Sequence, residues 1–329
     1  MTKPLVVGIV GAGLIVNNAH LPALMNTKGI QVAWLADQDH AKAASLGAAW
    51  SVRALSEPAL PSALPNCDVA LLAIPLLARA AYLTEFKARG TAVLCEKPFA
   101  QTEAEHIRFC DGFDRSRIGV GFQRRTLSQN RLLRELVARS CFGPLRAIRV
   151  QEGGRTTSAG GGAYFLDRRA GRSVGVLADL GSHSLDMIFS TVPASGVVIE
   201  RSDMVIDEGV DRHVSAAFQI ESPQGLVRVD YQVSWLDSFD NAVWWEFQDA
   251  TLKMDLRPGG KVYLMRDHGV LATLDPSRQG ARTTTQAFFL QWESFLRGVI
   301  TGGESEVSAH SAVWVTSTVD ALHTKAGNA

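Results

Sequence analysis

The 329-residue chain is 46% hydrophobic and 20% charged, too apolar for a disordered polymer and ordinary for a folded enzyme with room for two domains. Lys plus Arg and Asp plus Glu number 33 each, so no net positive field draws nucleic acid or anionic lipid. Met1-Thr2-Lys3-Pro4 leads straight into a strand-like run, and the apolar stretch from Val69 to Leu83 is broken by Pro75 and Arg79, so the chain reads as cytoplasmic, without signal peptide or membrane span.

From Leu5 to Gly121, short apolar runs alternate with helical patterns, as in the βαβ units of a doubly wound parallel sheet. The expected strands are Leu5–Val10, Gln31–Ala36, Val69–Ile74, Thr91–Cys95 and Ile118–Gly121. Expected helices are Leu14–Asn26, His40–Ala49, Leu77–Arg89 and Glu103–Asp114. After the first strand comes Gly11-Ala12-Gly13-Leu14-Ile15-Val16. Gly11 suits the tight turn, and Gly13 lets backbone approach a pyrophosphate seated on the helix start, where Leu14 and Ile15 join the cofactor set. Val16 stands where the fingerprint has its third glycine, so the helix should approach its strand less closely.

Asp37 ends the second strand, placed to accept hydrogen bonds from an adenosine ribose and to repel a 2′-phosphate. With no Arg or Lys before Lys42, this favours NAD over NADP. An N-cap of the next helix is the alternative role for Asp37, and the two can coexist. Ile74 and Pro75, after the third strand, and Glu96 and Lys97, after the fourth, lie where parallel sheets bind ligands, at the carboxyl ends of strands. Beside a cationic nicotinamide, a partly desolvated Lys97 would share a proton near neutral pH, an effect Glu96 opposes. Taken singly, Lys97 also reads as a solvated surface charge.

Beyond Gly121 the texture changes. A helix is expected over Gln129–Cys141, then strands Leu145–Glu152, His213–Ile220, Leu226–Trp235, Ala242–Leu256 and Lys261–Met265, joined by short turns into a largely antiparallel sheet. Helices Thr283–Thr301 and Ala309–Ala326 close the chain. The glycine-rich stretch Gly153–Gly175 holds Gly160-Gly161-Gly162 among Arg155, Arg168, Arg169 and Arg172. It reads either as a lid suited to a carboxylate or phosphate on a substrate, or as solvated arginines at a loop or subunit contact. Tyr164, in the same stretch, falls on the substrate side.

A helix starting near Gly181-Ser182 would put Asp179 at its first turn and His183 one turn on, where the positive helix end keeps the imidazole able to accept a proton. The other histidines, His20, His40, His106, His213, His268, His310 and His323, lack a comparable acid-and-glycine context. Cys67, Cys95, Cys110 and Cys141 show no CxxC spacing, so no metal site is expected and the thiols read as reduced and mostly buried.

Gly11-Ala12-Gly13, Cys95-Glu96-Lys97-Pro98 and the run Gly175-Val176-Leu177-Ala178-Asp179-Leu180-Gly181-Ser182-His183-Ser184-Leu185-Asp186 resemble, in that order and across nearly the whole chain, the Gfo/Idh/MocA family (glucose-fructose oxidoreductase, inositol dehydrogenase, rhizopine catabolism). The resemblance implies a Rossmann domain, set at residues 1–121, and a C-terminal α+β domain, set at 122–329, whose open sheet mediates homodimers or homotetramers. It implies NAD(P)-linked oxidation or reduction at a carbinol of a sugar, cyclitol or related polyol. By the family pattern Lys97, Asp179 and His183 form the catalytic set between the domains, and Gln123 lies beside the nicotinamide and substrate. NAD-dependent glycoside cleavage, or sugar sensing without turnover, are the alternatives the family fold allows. Two departures stand out. The family's Thr-Pro-Asn with a nearby His, which the pattern sets after the fourth strand, is Ile74-Pro75-Leu76-Leu77-Ala78-Arg79 here, implying a more apolar pocket with Arg79 reaching outward, and the glycines before the second motif become Arg172-Ser173-Val174-Gly175.

Overall fold

The computed structural model describes residues 3–55, 60–155, 163–167, 174–266 and 269–327. In chain order the first half runs β1 (Leu5–Val10), a π turn (Val16–His20) continuing into α1 (Leu21–Met25), β2 (Ile30–Ala36), α2 (His40–Trp50), β3 (Val69–Leu72), α3 (Arg79–Ala88), β4 (Ala92–Cys95), α4 (Glu103–Cys110) and β5 (Ile118–Val120). Then come α5 (Ser128–Ala138), β6 (Leu145–Gly153), a π turn (Leu177–Gly181) leading into α6 (Ser182–Thr191), β7 (Gly196–Asp207), β8 (Val210–Ser222), β9 (Gly225–Ser234), β10 (Ala242–Phe247), β11 (Thr251–Asp255), β12 (Val262–Arg266), β13 (Gly269–Leu274), α7 (Thr284–Thr301) and α8 (Val313–Gly327).

Contacts divide the chain into two compact units. The first joins Met1–Ala100, Ala104–Gln123 and Thr284–Ser311; the second joins Gln101–Glu103, Arg124–Thr283 and Ala312–Ala329. The segment Thr284–Ser311, which a division at 121/122 assigns to the second domain, therefore packs in the first. Its apolar stripe explains why: Phe288, Trp292, Phe295 and Leu296 of α7, with Val307, share one core with Val7, Ile9, Leu71 and Leu94 of the sheet.

In the first unit five strands lie parallel in the order β2-β1-β3-β4-β5, and a single parallel bridge from Leu35 to Ala54 extends the β2 edge. β3 (Val-Ala-Leu-Leu) and β4 (Ala-Val-Leu-Cys) are buried at every residue, which is why they read as unbroken apolar runs rather than alternating ones. Successive elements leave the sheet from a common edge. Gly11 N–H donates to Ala36 O, Ala73 N–H to Val10 O, Glu96 N–H to Leu72 O and Gly121 N–H to Cys95 O. The carboxyl ends of β1 to β5 thus present the glycine turn, Asp37, Ile74-Pro75, Glu96-Lys97 and Gly121 along one rim.

The second unit is an eight-stranded sheet in the order β13-β12-β11-β10-β6-β9-β8-β7, antiparallel throughout except where β6 runs parallel to β9. Its inner face is Ile148, Val150, Val214, Phe218, Val229, Tyr231, Val243, Trp245 and Met254, all buried, and its outer face carries Arg149, Asp230 and Gln232. Trp244, also outward, is flanked by Arg149, 4.1 Å from its ring, and Lys253, 5.2 Å. The single strand expected over Ala242–Leu256 is a hairpin instead. Gln248-Asp249 turns the chain, and Phe247 N–H donates to Ala250 O. No helix among the described residues is long and apolar enough to cross a membrane.

Of the cysteines, Cys95 and Cys110 are buried, Cys67 is half-buried and Cys141 is exposed, so the expectation of mostly buried thiols holds for two of the four. Burial pushes the thiols of Cys95 and Cys110 up to about 12 and that of Cys67 to about 11.

Candidate active site

The glycine turn is built for close approach. Gly11 holds φ +108°, and a Cβ there would lie 2.3 Å from the Ala73 carbonyl oxygen, so neither the conformation nor the space admits a side chain. At Gly13 a Cβ would meet nothing within 4 Å, leaving bare backbone facing open space where the helix begins. Gly13 O accepts from Val16 N–H and Asn17 N–H, and Leu14 and Ile15 are exposed beside it. Val16, in the third-glycine position, is wholly buried and opens a π turn rather than a regular α turn. Bare amides at a helix start and a forced turn are the cradle a dinucleotide pyrophosphate needs, so these residues fit that cofactor.

Asp37 is not the N-cap of α2. That role belongs to Asp39, whose carboxylate accepts from Lys42 N–H. Asp37 instead holds the turn itself: Oδ2 accepts from Ala12 N–H at 2.7 Å and Oδ1 from Asp39 N–H at 2.8 Å. Each oxygen retains a second lone pair.

Arg79 does not reach outward. It is buried, and its guanidinium donates to the carbonyls of Ile74 and Pro98, tying together the loops that follow β3 and β4. Those loops end on carbonyls that no strand can satisfy, and a planar fork of donors on α3 supplies both. Lys97 is half-buried and precedes a cis peptide bond to Pro98. Glu96 turns inward. Its Oε1 lies 2.8 Å from His20 Nε2, and its Oε2 accepts from Lys97 N–H at 3.2 Å. His20, read from sequence as without an acidic partner, thus has one across the sheet rim. Gln123 opens a 3-10 turn, Gln123–Thr126, after β5.

In the second unit, Asp179 lies in the first turn of a helical run that begins before Gly181, and His183 about one turn further on. Backbone angles are already helical at Val176 (φ −65°, ψ −32°) and at Gly181 (φ −60°, ψ −40°), because the apolar Val174-Gly175-Val176-Leu177 packs as the first turn of the run. The expected helix start at Gly181-Ser182 is corrected accordingly. The helix dipole does not bear on His183, since that field fades within the first turn. Both side chains are 6% exposed, four residues apart on a helix that widens at Leu177–Gly181.

The true helix start is held from another strand. Asp211 of β8, buried, accepts from Leu177 N–H at 2.8 Å. Gly175, at φ +90°, makes room for it, since a Cβ there would fall 1.9 Å from Asp211 Oδ1. Further along, Tyr231 OH donates to Gly181 O at 3.0 Å and lies 2.8 Å from Ser184 Oγ. On α6, Asp186 receives Arg125 through Nε at 2.9 and 3.0 Å and through Nη2, both side chains almost fully buried. Arg124 pairs with Glu152 at 2.7 Å. The sequence signal for the Arg125–Asp186 pair was the last acid of the second motif, three residues past His183 and hence on its side of the helix.

Burial pushes the Asp211 carboxyl up to about 6 from 3.8, against the opposing pull of the Leu177 and Val176 amides. A folded carboxyl with raised affinity keeps its proton longer than the unfolded one, so this group's contribution to stability is full below the unfolded value and is lost as pH rises from about 4 to about 6, by about 3 kcal/mol at most. Urea unfolding should therefore show wild type losing up to that amount across this interval relative to Asp211→Asn. Parallel pH profiles for the two proteins would refute the assignment.

Tyr164 sits in a short 3-10 turn, Ala163–Leu166, edge-on to Phe165 at 5.2 Å. Arg155 donates to Leu236 O. Gly160, Gly161, Gly162, Arg168, Arg169 and Arg172, the body of the expected lid, lie outside the described residues. No group of three His, Cys, Asp or Glu among the described residues is set to hold a metal ion.

Residues 5–117 match the Gfo/Idh/MocA model, an oxidoreductase family with an NAD-binding Rossmann fold. Over 154 residues, 45% of this chain, the sequence is 33% identical to inositol 2-dehydrogenase of Leifsonia xyli subsp. xyli and 30% identical to that of Corynebacterium glutamicum (strain R). Those matches take in 44% and 45% of the two relatives, less than half their length. Among solved structures, aldose-aldose oxidoreductase from Caulobacter crescentus complexed with glycerol superposes at TM-score 0.83 and 18% identity, covering 99% of this chain and 98% of that one. An oxidoreductase from Thermotoga maritima superposes at 0.82 and 16%, with the same coverage. At such identities the likeness is one of fold.

Proposed function

Because the chain belongs to the Gfo/Idh/MocA family of oxidoreductases, with its NAD-binding Rossmann domain, we propose that it is an NAD-dependent dehydrogenase acting on a CH–OH carbon of a cyclitol, sugar or related polyol. The observation that carries this reading is the rim of the parallel sheet, where the Gly11–Gly13 cradle, Asp37, Ile74-Pro75 and Glu96-Lys97 emerge side by side. The inositol dehydrogenase relatives favour a cyclitol as the first substrate to try.

The amides at Gly13, Leu14 and Ile15 would hold the pyrophosphate, Asp37 the adenosine ribose, and Ile74, Pro75, Glu96, Lys97 and Gln123 the nicotinamide end. When bound, the nicotinamide supplies the acceptor, or in reverse the donor, of the hydride. His183 takes the hydroxyl proton, and the Lys97 ammonium stabilises charge as it develops on that oxygen. Asp179 orients His183 or a neighbouring substrate hydroxyl, and Tyr164 lines the substrate side.

An NADH-absorbance assay with myo-inositol, aldoses and sugar acids, alongside calorimetric binding of NAD and NADP, tests the reading. Dinucleotide binding with no absorbance change on any polyol would sink the dehydrogenase and favour a sensor. On the cofactor side, Asp37→Ala should lower the NAD-over-NADP ratio of kcat/KM by on the order of tenfold, since it removes both the ribose acceptor and the charge that repels a 2′-phosphate. An unchanged ratio would remove Asp37 from the ribose site.

A further inference from the structure

Four parts of the first unit converge on one carboxylate. Glu96 Oε1 lies 2.8 Å from His20 Nε2, at the end of the π turn that follows the glycine cradle. Trp292, on α7, donates its indole N–H to His20 Nδ1 at 3.1 Å. Lys97 N–H completes the set on Oε2. Gly121, after β5, leaves the carboxylate its room, since a Cβ there would stand 2.4 Å from Oε1. His20 is wholly buried, edge-on to Phe288 at 5.0 Å and Trp292 at 5.8 Å.

The chemistry of these groups fixes the direction of the chain. An indole nitrogen only donates, so His20 Nδ1 must accept, and the ring carries its proton on Nε2, aimed at Glu96. A tautomer set this way makes the imidazole a donor to a carboxylate in a dry site, a charge-assisted bond stronger than a neutral one. Each Glu96 oxygen is thereby held in place by a donor of its own, Oε1 by His20 and Oε2 by the Lys97 amide.

We propose that His20 and Trp292 are positioning residues for Lys97. They act through Glu96, fixing its carboxylate and, through the bond it accepts from Lys97 N–H, the backbone from which the Lys97 side chain leaves the rim. This deepens the reading of Lys97 as catalytic and rests on it. The region Thr284–Ser311, remote in sequence, thereby acquires a role in the chemistry beyond closing the core.

Competitive acetylation of the NAD-bound protein, read by peptide mass spectrometry with Lys28 and Lys42 as internal standards, measures how Lys97 is presented without requiring turnover. Trp292→Phe keeps an aromatic ring and removes only the donor, and His20→Gln keeps a donor to Glu96, so between them a folded variant is available. In Trp292→Phe, at unchanged NAD affinity, the Lys97 rate should shift by about threefold or more relative to the standards, whereas His20→Gln, which keeps a donor to Glu96, should stay closer to wild type. Nitrogen-15 spectra should place the His20 proton on Nε2 in wild type, and the Nδ1 resonance should shift in Trp292→Phe as its indole donor is lost. With myo-inositol as probe, Trp292→Phe should lower kcat by about tenfold with KM little changed, and have no further effect in a Lys97→Ala background. A Lys97 labelling rate unmoved by Trp292→Phe, or an effect on kcat that persists without Lys97, overturns the proposal. If Lys97→Ala alone left turnover intact, it is the catalytic reading that would fail, while the labelling and tautomer measurements would still report on the relay.

Discussion

Lys97→Ala and His183→Ala are each expected to lower kcat by about 10²–10⁴-fold, the usual value of general acid–base and electrostatic help at a reacting oxygen. The two losses should not add. If both residues serve one proton on one hydroxyl, the double variant should turn over about as slowly as the worse single variant, as for catalytic groups that act as a unit. NAD binding should survive in His183→Ala, because the pyrophosphate cradle and the ribose acceptor belong to the other compact unit. Stability should survive too, since Arg125 on Asp186 and Tyr231 on Gly181 hold the helix independently of the imidazole. The measurement is steady-state NADH production with a substrate the wild type oxidises, with circular dichroism and NAD calorimetry on the same preparations. Near-wild-type turnover in either single variant, with cofactor bound, would take that residue out of the catalytic set.

The parts of this fold that were legible in sequence are those whose cause is local. β3 and β4 announce themselves because both faces are buried and every side chain is apolar. Gly11 announces itself because only glycine serves a turn at φ +108° against a carbonyl. What stayed hidden depends on partners distant in the chain. His20 meets Glu96 76 residues on and Trp292 272 residues on, and no spacing rule connects them. Asp211 caps a helix that begins 34 residues before it, whereas the nearest polar residues in sequence, Asp179 to Ser182, point to a later start. Arg79, charged and following Pro75, looked like a surface residue until the two carbonyls it satisfies were in view. Local pattern yields elements and motifs, whereas the groups that hold the motifs in place are set by tertiary closure.

Asp186→Ala is expected to cost about 3–5 kcal/mol of stability, more than any single change at the reacting groups, because it strands a guanidinium where water cannot reach. Arg125 is 3% exposed at its side chain and Asp186 1%, and the contact is bidentate, so the pair is almost fully desolvated. The cost lies in the unpaired charge rather than in the pair itself. Arg125→Met in the Asp186→Ala background should therefore recover most of the loss, since an apolar side chain of similar length removes the buried charge and refills the space. The consequence for function is different in kind. Asp186 lies three residues past His183 on α6, and Arg125 two residues past Gln123, so the pair sets where the imidazole stands relative to the α5 side of the second unit. The rescued double variant should unfold near wild type in urea yet turn over more slowly, because a methyl thioether restores volume but not the two-point register of a guanidinium on a carboxylate. Equal stability of Asp186→Ala and wild type would show that the buried pair contributes nothing to holding α6, and full activity in the double variant would show that its geometry does not matter to His183.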